Sequence, residues 1–209
     1  LLLENNSTNQ TSTQSGAADT TNPTMQTQSF ATTQKKFGTH SLYFDASRGA
    51  STQSSVDFAP SGFPTIKDLA NKWTLEMFVY NTNRNGSETD ADYDDNAIWA
   101  VGDTYTSANI GGASGKIRFN EYDGSRHFQY WDSSYVLPLN TWVHLTFVWG
   151  ASAVKLWVDG TYKGSCSRRA LHSSAPANIR FGASAGGDAI GNFDDYMDNI
   201  RLTNLERYT

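Results

Sequence analysis

Carboxylates are the first residues here whose type and spacing could do chemistry. Splitting a bond between two sugars by acid–base catalysis takes a pair of carboxyl groups ~5 to 9 Å apart. On one strand that means acidic residues two or four apart, facing the same way. Glu76 stands alone in its segment, and Glu88, Glu121 and Glu206 lie in unrelated ones, so no such pair is legible. Nucleophilic catalysis fares no better. The histidines are His40, His127, His144 and His172, and no Gly-x-Ser-x-Gly elbow occurs. His144, two residues after Trp142 in a covered strand, is expected to satisfy a backbone carbonyl. The single cysteine, Cys166, excludes an internal disulfide, and with no close His pair a zinc site is not expected. The run Asp90-Ala91-Asp92-Tyr93-Asp94-Asp95 is different. Asp90, Asp92, Asp94 and Asp95 supply hard oxygens that could converge on calcium; otherwise they form a solvated acidic loop whose charges repel.

A second kind of chemistry needs no reaction. Sugar recognition uses an aromatic ring for the apolar face of the sugar and planar polar groups for its hydroxyls. The segments 109–115, 122–126 and 130–135 have that mixture, and Trp131, Tyr135, Tyr105 and Tyr93 are the aromatics nearest to turns. Trp73, Trp99, Trp142 and Trp157 fall within strands and are assigned to the core.

The elements that would position these groups are strands. From Trp142 to Trp149, Trp142, His144, Thr146 and Val148 point one way and Val143, Leu145, Phe147 and Trp149 the other. Both faces are apolar enough to be covered, as in an interior strand. Gly150-Ala151-Ser152 turns the chain into Val154–Val158, and Asp159-Gly160 turns it again into Thr161-Tyr162-Lys163, a hairpin signal because glycine takes positive φ freely. Further runs at 98–102, 116–122 and 127–131, then 178–184 and 193–202, complete an antiparallel meander. The pattern predicts an all-β, two-sheet antiparallel sandwich, with no helix beyond one turn near 66–70.

Composition agrees. Aromatics make up 13% of 209 residues, with six Trp, which supplies a two-sheet core. A net charge of −5 argues against nucleic acid, whose binding needs a basic stripe, and against attraction to anionic membrane surfaces. No stretch approaches the ~18 apolar residues of a spanning helix, and no signal peptide is visible. The chain opens at Leu1 without Met, as expected of a processed product or part of a longer protein. Residues 4–34 are rich in Ser, Thr, Asn, Gln and Ala and hold little to bury. The organisation expected is one domain: 1–36 as a strand plus a polar arm, draped over the sandwich or packed on a neighbour, and 37–209 as the sandwich itself.

The motif order Trp142-x-His144, Leu156-Trp157-Val158-Asp159-Gly160, Ile179-x-Phe181-Gly182 and Phe193-Asp194-Asp195-Tyr196-Met197-Asp198-Asn199-Ile200-Arg201 resembles the laminin-G-like, concanavalin A-like jelly roll. Phe37–Asp45 resembles its first long strand and Trp73–Val79 its second. Two positions depart from the pattern, Ala46 and Asp195 standing where glycine is usual. The closing Arg207-Tyr208-Thr209 resembles versions found in bacteriophage and bacterial surface proteins. The resemblance implies that Leu1–Leu3 lies beside Ile200–Leu202, and that calcium sits between Asp45 and Asp198 or Asp195. It also implies binding of a glycan on a cell surface. Hydrolases of this kind carry Glu-x-Asp-x-x-Glu or Glu-x-Asp-x-Glu on one strand, and this chain does not. The expected function is therefore a non-catalytic virion-surface protein, a capsid decoration or fibre component that binds glycan and assembles with other subunits. The alternatives are a secreted bacterial carbohydrate-binding or adhesion module and, behind it, a glycoside hydrolase.

Overall fold

A computed structural model of the chain describes residues 2–4, 11–13, 24–26, 29–45, 54–58, 72–84, 96–101, 106–110, 114–122, 127–167, 179–183 and 193–209. Its strands are β1 (Leu2–Glu4), β2 (Thr11–Thr13), β3 (Thr24–Gln26), β4 (Ser29–Ala31), β5 (Ser41–Tyr43), β6 (Ser55–Phe58), β7 (Trp73–Tyr80) and β8 (Ala97–Val101), followed by β9 (Thr106–Ile110), β10 (Lys116–Tyr122), β11 (His127–Val136), β12 (Trp142–Trp149), β13 (Ala153–Val158), β14 (Thr161–Ser167), β15 (Ile179–Phe181) and β16 (Tyr196–Thr203). They form two antiparallel sheets. The nine-stranded one runs β14-β13-β12-β7-β16-β1-β2, with β5 also on β16 and β4 on β5. The seven-stranded one runs β11-β10-β9-β8-β15-β6-β3.

Alternation decides what each strand gives the core. Trp73, Leu75, Met77 and Val79 on β7 and Val143, Leu145, Phe147 and Trp149 on β12 all point inward and are buried. Each large apolar side chain withdrawn from water contributes roughly 1.5–3 kcal/mol. Trp73 stacks on Trp149 with centroids 3.5 Å apart, and Trp99 of the other sheet stands edge-on to Trp149 at 5.1 Å and to Phe147 at 5.4 Å, so aromatic contacts join the two layers.

The turns follow local chemistry. Asp159 (φ 48) and Gly160 (φ 74) both take positive φ, the conformation that joins two twisted strands through two residues. The Asp159 carboxylate accepts the His144 N–H at 3.0 Å and the Asp159 N–H donates to the His144 carbonyl at 2.9 Å, fastening the hairpin to β12. In β16 the register slips by one residue between Asp198 and Arg201, with Asn199 at φ 50. This bulge lets Asp198 and Arg201, three apart, share the outer face while Met197, Ile200 and Leu202 stay in the core.

Two expectations about the N-terminal part can be placed. Leu2 pairs with Arg201 and Leu3 with Ile200, so the first strand lies where the resemblance implied. The long strand expected at Phe37–Asp45 is only the three residues of β5. The backbone N–H groups of Lys36 and Phe37 donate to the Asp198 carboxylate at 2.9 Å each, which takes them out of any ladder.

Candidate functional site

The outward face of the nine-stranded sheet collects the groups that could act. Its side chains fall into rows across β13, β12, β7, β16 and β5, because residues paired in register project side by side. One row centres on Glu76, buried to 2% exposure. Its carboxylate accepts from Arg201 Nε at 2.8 Å and also from Arg201 Nη2, from Arg207 Nη1 at 3.2 Å and from the Tyr208 hydroxyl at 2.7 Å. The His144 ring lies 3.9 Å away. The segment 204–209 thereby straps this row: the Thr74 hydroxyl donates to the Leu205 carbonyl at 2.8 Å, and Tyr208 rests on Trp157 at 5.7 Å. Both carboxylate oxygens of Glu76 are thus engaged by structural partners.

The next row holds His144, Phe78 and Asp198. The His144 ring stacks on Phe78 at 4.7 Å; its partners are this ring and the Glu76 carboxylate. Burial pushes the imidazole below its usual range, against the pull of Glu76 and Asp159. Phe37 meets Phe78 edge-on at 5.0 Å, and Lys36 Nζ lies 5.4 Å from the Phe78 centroid.

The last row is aromatic throughout. Tyr43, Tyr196, Tyr80 and Trp142 sit on β5, β16, β7 and β12, with successive centroids 4.8, 6.0 and 5.4 Å apart. All four are half-buried: the ring bodies pack on one another and the remainder meets solvent. Beside Tyr43, Asp45 is exposed, Asp194 half-buried and Asp195 buried. Burial, with Asp194, Asp45, Tyr196 and Asp195 adding to it, pushes the Tyr43 phenol up to about 12.

Asp195 accepts the Thr82 N–H at 2.7 Å and the Thr82 hydroxyl at 2.6 Å. Burial chiefly, with Asp194 adding, raises it from 3.8 to about 7 despite those bonds. A carboxyl whose folded value is raised contributes stability that is fully present below its unfolded value and is lost as pH rises through the folded one, here from 3.8 to about 7. Asp195→Asn keeps an acceptor for Thr82 and carries no charge. We expect its melting temperature to exceed the parent's at about pH 8 and to match it near pH 4, measured by calorimetry across that range; an unchanged difference between variant and parent at all pH values would refute the assignment.

The expected site residues are distributed differently from this face. Trp131 and Tyr135 lie in the seam where β11 and β14, the edge strands of the two sheets, close on each other. A Cβ on Gly164 would fall 2.8 Å from Trp131 Cζ2, and Lys163 Nζ stands 5.5 Å over the Tyr135 ring. Both rings pack against the core. Asp45 and Asp198 are not brought together. Tyr43 pairs with Tyr196 and Leu42 with Met197, which sets Asp45 opposite the start of β16 and Asp198 further along the strand, where its carboxylate holds two amides. Asp195, the other partner expected for Asp45, lies opposite Phe44, with its carboxylate on Thr82. Among the described residues no group of three or more His, Cys, Asp or Glu is arranged to hold a metal. Tyr93, Tyr105, Asp90, Asp92, Asp94 and Asp95 lie outside the described residues. Sequence reasoning missed the aromatic row. Its signal was available: Tyr80 and Trp142 each occupy the outward-pointing register of neighbouring strands.

A two-sheet jelly roll whose outer face carries aromatics, and whose Glu76, Asp195 and Asp198 carboxylates hold structural partners, has a lectin-like architecture. The family model of the concanavalin A-like lectin/glucanases superfamily (Laminin_G_3) matches residues 50–207, and the chain belongs to this family. Among solved structures it is similar to domain 4 of AbnA, a GH43 extracellular arabinanase from Geobacillus stearothermophilus, in complex with arabinotriose (TM-score 0.60, 17% identity, 86% of this chain and 76% of that one). It is also similar to botulinum neurotoxin type C, whose cell entry depends upon interaction with two ganglioside molecules (TM-score 0.67, 11% identity, 100% of this chain and 48% of that one). A third is the binding domain of Paraclostridial Mosquitocidal Protein 1 (TM-score 0.62, 12% identity, 90% and 45%). At these identities the likeness is one of fold, and the chain spans about half the length of the two toxin structures. No curated protein matches it in sequence. Among the described residues no helix is long and apolar enough to cross a membrane.

Proposed function

We propose that this domain is a non-catalytic glycan-binding module, and that sugar rests on the row Tyr43, Tyr196, Tyr80 and Trp142. The observation that carries this reading is the row itself: four partly accessible rings on four adjacent strands. Such a row offers adjacent apolar rings, inclined to one another, against which the apolar faces of sugar residues can pack. Domain 4 of AbnA in complex with arabinotriose and the toxin dependent on gangliosides support saccharide as the ligand of this sandwich. Against hydrolysis, the buried carboxylates Glu76, Asp195 and Asp198 each hold structural partners.

Display on a virion or bacterial surface, beside other subunits, is the setting this reading favours. β2 and β3 are the last strands on the same side of the two sheets, and end strands present unpaired edges to neighbours. Calcium enters through Asp90, Asp92, Asp94 and Asp95.

The test is a glycan array with the purified chain, run with calcium and again with chelator. Binding to a coherent set of glycans is expected, with Trp142→Ala and Tyr80→Ala each weakening it by about tenfold or more while leaving the fold intact, from the loss of one aromatic contact. A silent array with folded protein, or full binding by Trp142→Ala, would remove the row from consideration and leave the architectural role.

A further inference from the structure

The two ends of the aromatic row differ in charge. At the Trp142 end the rings of Trp142 and Tyr80 are flanked by Phe78 and a His144 that burial keeps below its usual range. At the Tyr43 end the pairing of β5 with β16 places carboxylates around the rings. The Phe44 N–H donates to the Asp195 carbonyl at 3.0 Å, so Asp45 and Asp194 stand beside the point where Tyr43 meets Tyr196, while the buried Asp195 carboxylate is held by Thr82. Neither Asp45 nor Asp194 has a cationic partner among the described residues, in contrast to Glu76, Asp57, Asp132 and Glu206, each of which is paired.

The rings there are arranged as a corner. Tyr43 and Tyr196 lie 4.8 Å apart and tilted by 32°, while Tyr80 stands at 81° to Tyr196 with centroids 6.0 Å apart. Ring faces carry negative quadrupole and attract cations within about 6 Å. The carboxylates beside them add a like-signed field, which adds to burial, the larger cause, in raising the Tyr43 phenol. A bare metal ion does not suit the place: among the described residues no three acidic groups converge as ligands. A cation spread over an organic group, lying against ring faces, does.

We propose that the Tyr43 end of the row is a subsite for a sugar carrying a free, protonated amine, with Asp45 and Asp194 as its specificity-determining residues. This rests on the row being the glycan platform. An amine at that end fixes the direction in which the saccharide lies, its uncharged residues running toward Trp142. The same field disfavours uronic acids, sialic acids and sulfated sugars.

The experiment is an array of matched oligosaccharides, each hexosamine present in free-amine and N-acetylated form beside a uronate of the same length, with affinities of the best pair measured by calorimetry. The free-amine member should bind about fivefold or more tightly than its N-acetylated counterpart, from one cation–π contact and partly exposed ion pairs. The preference should shrink as salt rises. In Asp45→Asn/Asp194→Asn the preference should vanish while the N-acetylated form binds as before, whereas Trp142→Ala should weaken both forms alike. Equal or tighter binding of the N-acetylated or uronate form, or a preference that survives the double substitution, would overturn the amine subsite and leave the platform standing. No binding by any member, with folded protein, would overturn the platform as well.

Discussion

Gly182→Ala is expected to lower the free energy of unfolding by about 3 kcal/mol or more, the sum of a strained backbone and a steric clash. Gly182 has φ +85, and a Cβ there would fall 2.1 Å from Phe44 Cδ1, 2.3 Å from Phe44 Cε1 and 2.8 Å from the Ser54 carbonyl oxygen. Phe44 cannot swing away, because it is fully buried and set edge-on to Phe193 at 5.9 Å. The glycine is also held in place by its backbone. Its N–H donates to the Ile98 carbonyl at 3.1 Å and its carbonyl accepts from Phe193 at 2.7 Å. Gly160→Ala is the control, since Gly160 has φ +74 but nothing within 4 Å of its missing Cβ; it should lose about 1 kcal/mol from φ alone. Equilibrium denaturation in urea measures both. Equal losses at the two positions would show that the Phe44 contact is not the cause.

The second large effect concerns Glu76, and its sign depends on which partner is removed. The Glu76 side chain is 3% exposed and that of Arg201 39%, so the carboxylate has lost its water and the guanidinium has not. Arg201→Met leaves a buried charge short of its main donor and should cost about 2 to 3 kcal/mol, less than the loss from a fully buried pair because Arg207 and Tyr208 still donate. Adding Glu76→Met to Arg201→Met removes the stranded charge and should restore part of that stability, a coupling that a double-mutant cycle in urea reads directly. A double variant less stable than Arg201→Met would show that the ion pair contributes more than its desolvation takes away. Hydrogen exchange at 205–209 should quicken in Arg201→Met, since the strap is tied through the same carboxylate.

The strands and their turns were legible because their signals are local. The alternation in Trp142–Trp149 and the pair Asp159-Gly160 needed no knowledge of the rest of the chain, and both stand as read. What alternation cannot give is which of two apolar faces turns inward. Strand position alone puts Trp142 and Trp157 in the core with Trp73 and Trp99, yet they lie half-buried on the outer face, and the aromatic row is not legible for that reason. The bulge at Asn199 is a second case. Strict alternation would place Asp198 with Ile200 and Leu202, and only the extra residue puts it beside Arg201. Trp131 and Tyr135, two of the aromatics nearest to turns in the sequence, lie within the ten-residue β11, where Asp132 and Ser134 face solvent and Ser133 is buried. The short β5 has a long-range cause: a carboxylate 162 residues away in sequence holds the amide of Lys36, a contact no local pattern announces.

The place of β16 between β7 and β1 has a consequence for how the chain matures. β12, β13 and β14 can zip into hairpins as soon as they are made. β7 keeps one edge open until residues 196–203 exist, and Leu2 waits for Arg201. A nascent chain therefore carries unsatisfied strand edges until residues 196–203 have been made, and β16 then joins β7 to β1. Sequence separations of that size place it among the slow folders, on the millisecond-to-second scale, and make the interval before closure the time of greatest exposure to edge-to-edge aggregation.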